Sequence, residues 1–220
     1  MVQIKTIGVV GAGQMGAGIA QVAAQSGLTV LVTDVAEAAI ERGKGAIKDS
    51  LARLVKKGTL AEADAAAALA RISFGTALSL HASADFVVEA VSENEGLKRK
   101  IFVELDGIVR SDAILASNTS SISITRLAAA TKRADRFIGM HFMNPVPVMK
   151  LVELIRGIAT SDATWASTRA LAEKMGKNTT VSKDYPGFLA NRILMPMINE
   201  AFTALMEGVG SAEDIDTTMK

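Results

Sequence analysis

Residues 4–34 read IKTIGVVGAGQMGAGIAQVAAQSGLTVLVTD, and this stretch decides the fold. Ile4 to Val10 is rich in β-branched residues and reads as a buried strand. Gly11-Ala12-Gly13-Gln14-Met15-Gly16 follows at once. Ala17 to Ser26 carries small and apolar residues suited to a helix packed close to a sheet. Gly27 breaks it, Leu28 to Thr33 forms a second apolar strand, and Asp34 ends that strand. A glycine-rich turn alone is weak evidence. Between a strand and a helix, with an acid closing the next strand, it is the dinucleotide-binding arrangement. Gly11 permits a tight turn, Gly13 leaves the pyrophosphate unobstructed, and Gly16 lets the helix sit against the strand. The amides at the helix start, where Gln14 and Met15 are counted with the cofactor-contacting residues, face a region in which the helix dipole favours negative charge. Asp34 can accept hydrogen bonds from the adenosine ribose. Its carboxylate would repel a 2′-phosphate, and Val35-Ala36 offers no arginine to hold one, so NAD is favoured over NADP. The motif by itself leaves FAD open.

Outward from this unit, strands and helices alternate, which predicts an α/β fold with a doubly wound, mainly parallel sheet. The pattern places helices at 37–57 and 61–70, read as a helical arm projecting from the sheet. Strands follow at 71–74, 85–90, 113–116, 137–141, 150–155 and 179–182, with helices at 97–109 and 163–175. Pro186-Gly187 marks a domain boundary. The reading is a Rossmann-type NAD-binding domain over 1–185 and the start of an all-α C-terminal domain over 186–220. Phe188 to Met206 reads as a strongly apolar helix, and Ser211 as the N-cap of another, with Asp214 three residues on. A helix this apolar needs a partner. The C-terminal domain is therefore expected to be incomplete here or completed by another chain.

Composition narrows the function classes. Hydrophobic residues make up 49 % and charged residues 21 %, as in an ordinary globular protein, and a net charge of +1 points to neither nucleic acid nor an anionic membrane as partner. The 4 % aromatic content argues against a stacking surface for single strands. With no cysteine, disulfides, thiolate metal sites and cysteine nucleophiles drop out, no metal site is expected, and a cytoplasmic location fits. The N-terminal apolar run feeds a glycine turn and has no cleavage site after it, so it does not read as a signal peptide.

The candidate chemistry lies downstream. His141 ends a predicted strand, and ligands of open α/β sheets bind beyond the carboxyl ends of strands. By position alone it reads equally as a structural histidine. Glu153 lies in an otherwise apolar strand, where a carboxylate must find a partner or bear desolvation; the alternatives are a solvent-facing residue and a Glu–His dyad. Ser120 sits in the hydroxyl-rich loop Ser117-Asn118-Thr119-Ser120-Ser121, which could hold a substrate oxygen or merely cap a helix. Asn191 lies on the apolar helix just past the boundary. His81 reads as a loop residue without a role.

Four segments together resemble the L-3-hydroxyacyl-CoA dehydrogenases: Gly11–Ala20 (GAGQMGAGIA), Ser117–Ser121 (SNTSS), His141–Glu153 (HFMNPVPVMKLVE) and Lys183–Arg192 (KDYPGFLANR). The bacterial 3-hydroxybutyryl-CoA branch is most similar, and Met143 replaces a commoner phenylalanine. The resemblance implies His141 as general base, Glu153 as its orienting acid, and Ser120 and Asn191 as hydrogen-bonding partners of the substrate. It implies that Asp34, Glu93, Lys98, Asn118, Ser120 and Asn144 contact NAD, and that Ser50 and Lys57 of the arm contact coenzyme A, with Lys56 as an alternative. The implied reaction interconverts 3-hydroxyacyl-CoA and 3-oxoacyl-CoA. Members of the family continue through several further helices that supply a homodimer contact and a wall of the acyl pocket. A His–Glu dehydrogenase of a free 3-hydroxy or sugar acid, and a non-catalytic NAD-binding module, are the alternative readings.

Overall fold

The computed structural model describes residues 4–220; Met1, Val2 and Gln3, which the 1–185 domain reading includes, lie outside the described residues. The chain runs β1 (Thr6–Val10), α1 (Gln14–Gln25), β2 (Thr29–Thr33), α2 (Glu37–Lys56), α3 (Glu62–Ala70), β3 (Ile72–Gly75), β4 (Phe86–Glu89), α4 (Glu95–Ile108), β5 (Ile114–Ser117), α5 (Ile124–Ala128), β6 (Phe137–Phe142), β7 (Leu151–Arg156), α6 (Asp162–Lys174), β8 (Asn178–Lys183), α7 (Ala190–Met206) and α8 (Ala212–Met219). The strands form one eight-stranded sheet ordered β3-β2-β1-β4-β5-β6-β7-β8. Every neighbouring pair is parallel except β6 and β7. This is a Rossmann-type sheet, reversing direction of travel between β1 and β4, where a crevice opens beyond the strand ends.

Strand alternation sends side chains to opposite faces. Ile7, Val9, Val30, Val32, Phe86 and Val88 join a cluster with Ile19 and Ala23 of α1. Val10, Leu31, Val87 and Leu115 join the other, with Phe102 and Leu105 of α4 and Leu127 of α5. Two cores sandwich the sheet, and its carboxyl edge is left for chemistry.

Four sequence expectations need correction. The helices α2 and α3 do not stand clear of the body. Ile40, Ile47 and Leu51 of α2 and Ala65 and Ala68 of α3 are buried in the cluster that holds α1, because each helix keeps an apolar stripe that burial rewards. Short elements escaped the periodicity: the 3₁₀ turns Leu78–Ser83 and Ala134–Arg136 and the helix α5 are too brief to show a repeat. Phe188 does not begin α7; it lies in the turn before it, with φ +50°, after Gly187 at φ +81°. His81 is not a loop residue: it lies in the 3₁₀ turn Leu78–Ser83. It is wholly buried, and its Nε2 lies 2.8 Å from Thr33 Oγ1.

No residue of α7 or α8 is buried. Ile193, Met195, Met197, Phe202 and Met206 are exposed.

Burial lowers the His81 pKa from 6.5 to about 4, so the folded protein holds this ring neutral. The unfolded chain takes up a proton below pH 6.5 that the fold refuses. Unfolding free energy should therefore be unaffected by His81 above pH 6.5 and fall as pH drops from 6.5 toward 4, by up to about 3 kcal/mol. Denaturant titrations at pH 7, 5.5 and 4.5 check this: His81→Gln should flatten that slope, and an unchanged slope refutes the assignment.

Candidate active site

The sheet's carboxyl edge gathers polar residues from separate strands. His141 on β6 and Glu153 on β7 are direct partners in the antiparallel pair, so their side chains share a face. His141 Nδ1 lies 3.2 Å from Glu153 Oε2, and His141 Nε2 lies 3.1 Å from Ser120 Oγ. With Nδ1–H donating to the carboxylate, Nε2 is the nitrogen free to accept a proton. Glu153 is 1 % exposed. Its Oε1 accepts the backbone N–H groups of Leu189 and Ala190 at the start of α7. Burial pushes the Glu153 carboxyl up, but the bonds from His141 and the two amides outweigh it and hold the group below its ordinary value. The Gly187–Phe188 turn, with both residues left-handed, delivers those amides. The buried anion is thus ionised and satisfied.

The loop after β5 closes the other side. Asn191 Nδ2 donates to the Ser120 carbonyl at 3.3 Å. Asn118 Oδ1 accepts the Phe142 N–H at 2.9 Å, tying the loop to β6. Glu93 Oε1 accepts from Thr119 Oγ1 and from the amides of Ser120 and Ser121. Desolvation raises the Glu93 carboxyl, but the Thr119 hydrogen bond and the Lys98 charge more than reverse this. Lys98 is 1 % exposed, with Nζ 2.6 Å from Glu89 and 3.3 Å from Glu93. Its ammonium is engaged inside the protein and meets the crevice through Glu93.

The glycine turn fits a dinucleotide. Gly11 has φ +103°. Helix α1 has no side-chain cap at Gly13, so its first amides are open to an anion. A Cβ on Gly13 would meet nothing within 4 Å, whereas one on Gly16 would stand 1.8 Å from the Gly11 carbonyl oxygen. Space is kept where a pyrophosphate would lie and removed where helix crosses strand. Asp34 Oδ2 accepts the Ala12 N–H at 2.9 Å, and Oδ1 accepts the Ala36 N–H at 3.1 Å. This carboxylate stands at a crevice that Leu78, Ala90, Ser92 and Ile101 also line. The Met15 side chain packs against the core. Gln14 Nε2 donates to Asn144 Oδ1 at 3.1 Å, joining the turn to the loop after β6. A separate groove of about 600 Å³ runs from Gln14 and Asn144 along α2. Ser50 and Lys57 line it with Arg42 and Arg53, and Lys56 does not.

The sequence matches "3-hydroxyacyl-CoA dehydrogenase, NAD binding domain" over residues 6–185 and "3-hydroxyacyl-CoA dehydrogenase, C-terminal domain" over 187–220. The chain belongs to the 3-hydroxyacyl-CoA dehydrogenase family. It is 54 % identical over 217 residues to the 3-hydroxybutyryl-CoA dehydrogenase of Bradyrhizobium diazoefficiens, covering 99 % of this chain and 74 % of that protein. It is 46 % identical over 223 residues to the mitochondrial hydroxyacyl-coenzyme A dehydrogenase of Rattus norvegicus, covering 99 % of this chain and 71 % of that one. The crystal structure of (S)-3-hydroxybutyryl-CoA dehydrogenase PaaH1 from Ralstonia eutropha superimposes with a TM-score of 0.94 at 56 % identity, over 96 % of this chain and 75 % of that chain. The chain is therefore an NAD-dependent oxidoreductase of this family. Among the described residues no acidic or histidine cluster fits a metal ion, and no helix is long and apolar enough to cross a membrane.

Sequence reasoning overlooked Glu89, Arg42, Arg53 and the amides of Leu189 and Ala190. Only Glu89 carried a signal: like Asp34, it is an acid at the end of an apolar strand.

The glycine geometry separates binding from folding. Gly13→Ala should change unfolding free energy by less than about 1 kcal/mol yet weaken NADH binding by at least about tenfold through steric conflict with the pyrophosphate. Gly16→Ala should lower stability by several kcal/mol, because backbone cannot yield to the new methyl. Thermal unfolding and NADH fluorescence titration check both; undiminished NADH affinity in Gly13→Ala refutes the cradle.

Proposed function

We propose that this chain catalyses the NAD-dependent oxidation of a short-chain (S)-3-hydroxyacyl-CoA, such as 3-hydroxybutyryl-CoA, to the 3-oxoacyl-CoA, and the reverse. The observation that carries this reading is the run Ser120 Oγ–His141 Nε2, His141 Nδ1–Glu153 Oε2, set beside the glycine cradle. The substrate's chain length comes from relatives named for 3-hydroxybutyryl-CoA. The groove lined by Arg42, Ser50, Arg53 and Lys57 supports a coenzyme A ester, because its cations suit phosphates.

Bound NAD supplies the hydride acceptor. His141 accepts the proton of the 3-hydroxyl at Nε2 as the C3–H electron pair leaves and the C3 carbonyl forms. In the reverse direction His141 returns that proton to the oxygen on C3. Glu153 balances the imidazolium in both directions and keeps Nδ1 as the protonated nitrogen. Ser120 and Asn191 hold the 3-oxygen and the thioester carbonyl. Asp34, Glu93 and Asn144 orient the cofactor, with Asn118 holding the loop between them.

We further assign residues 186–220 to the start of a helical second domain whose exposed apolar face, including Met197 and Phe202, takes part in a homodimer contact. Sedimentation across a concentration range, with Phe202→Glu alongside, tests that assignment.

The activity itself is tested by acetoacetyl-CoA-dependent oxidation of NADH. His141→Ala and Glu153→Gln should each lower kcat by about 10²–10⁴-fold with NADH affinity within about threefold of the parent. Full turnover in either variant overturns the assignment of the pair.

A further inference from the structure

Glu89 is the least expected charge in the molecule. It ends β4 and is fully buried, and neither the proton-transfer chain nor the glycine cradle touches it. Yet both its oxygens are engaged. Oε1 accepts the Val91 N–H at 2.7 Å and the Lys98 ammonium at 2.6 Å. Oε2 accepts the Ser117 hydroxyl at 2.6 Å. A carboxylate costs several kcal/mol to desolvate, and an apolar residue would fill the same space more cheaply.

Two routes lead from Glu89 to the loop that carries Ser120. The short one passes through Ser117, whose Oγ donates to Glu89 and accepts the Thr119 N–H at 3.2 Å. The long one passes through Lys98, which also lies 3.3 Å from Glu93 Oε2. Glu93 Oε1 then holds the Ser120 N–H at 2.9 Å. The Glu89 backbone adds a third tie, its carbonyl accepting the Asn118 N–H at 2.8 Å. Of the charged groups in this relay, only Glu93 reaches solvent, with its side chain 41 % exposed.

We propose that Glu89 is a positioning residue for NAD: from behind β4 it holds Lys98 and Ser117, and through them sets Glu93 and Ser120 toward the cofactor. The proposal rests on the dehydrogenase reading above and extends it to a residue that meets neither cofactor nor substrate. Without the Glu89 charge, the buried Lys98 ammonium has Glu93 as its sole acidic partner. That ammonium is then no longer fixed by a buried acid, and Glu93 loses the anchored partner that sets it toward the Ser120 and Ser121 amides. A neutral amide at position 89 keeps the shape and loses this balance.

The test compares Glu89→Gln, Glu89→Gln/Lys98→Met and Ser117→Ala in the full 220-residue chain. NADH dissociation constants are read by fluorescence and corrected for the folded fraction, with thermal midpoints and kcat alongside. Glu89→Gln should weaken NADH binding by about tenfold, the worth of a charged hydrogen bond. The double variant removes both buried charges and should recover the thermal midpoint without recovering NADH affinity. A merely structural ion pair predicts the opposite, with affinity returning once the fold is restored, and that result overturns the proposal. Ser117→Ala leaves every charge in place and stands in should Glu89→Gln not fold. It should raise the NADH dissociation constant by about threefold, and an unchanged value likewise overturns the proposal. Because NADH binding is read directly, failure of this inference is separable from failure of the dehydrogenase reading, which shows as parent protein that binds NADH without oxidising it in the presence of acetoacetyl-CoA.

Discussion

A carboxylate sealed between two strands must be given partners, and at Glu153 those partners assemble the site. One oxygen faces His141 across the β6–β7 pair. The other takes two amides from the start of α7. A single desolvated charge therefore joins the antiparallel β6–β7 step of the sheet, the orientation of the imidazole and the approach of the C-terminal helix. Asn191, one residue past those amides, reaches Ser120 from the same anchored helix start. Removing the charge would leave donors buried on both sides, which is why the arrangement resists piecemeal change.

The same logic repeats behind the site. Asp184 accepts Ser123 Oγ and the amides of Ile124 and Thr125, so the segment that leads out of the sheet also holds the helix that follows the Ser120 loop. Burial raises the Asp184 carboxyl and those donors more than offset it. Lys177 turns inward to the carbonyls of Val146 and Met149, bracing the loop that carries Asn144. Buried charges at the rim of this sheet are each spent on holding a loop. Arg42 and Arg53 of α2, with Lys57 just past its end, face the open groove instead, where a polyanion can be met without the cost of burial.

Legibility followed period and context. The strand–glycine turn–helix–strand unit was readable because several local rules agree on it. Asp34 was readable because an acid ends an apolar strand beside that turn. Glu89 has the same signature at the end of DFVVEA and passed as part of a buried strand, since nothing nearby in sequence announces that Lys98 and Ser117 converge on it. His81 was misread because a six-residue 3₁₀ turn has no apolar repeat to declare its inward face. The arm was correctly read as two helices and wrongly as projecting, because periodicity reports that a helix has an apolar stripe but not which neighbour will cover it.

Sequence by itself determined the alternation of strands and helices, the dinucleotide turn, the preference for NAD, and the set from which the proposed reactive residues are drawn. These rest on local backbone preference, side-chain period and fixed chemical identity, all written within short windows. Tertiary structure alone decided that His141 and Glu153 stand opposite each other, that Ser120 meets the far side of the same ring, that Lys57 rather than Lys56 reaches the groove, and that α7 begins on a buried carboxylate. Those facts depend on strand register, on a turn taken in the left-handed region, and on which loops desolvate which charges. Such choices are settled by contacts between residues far apart in the chain, and no short window of sequence contains both partners.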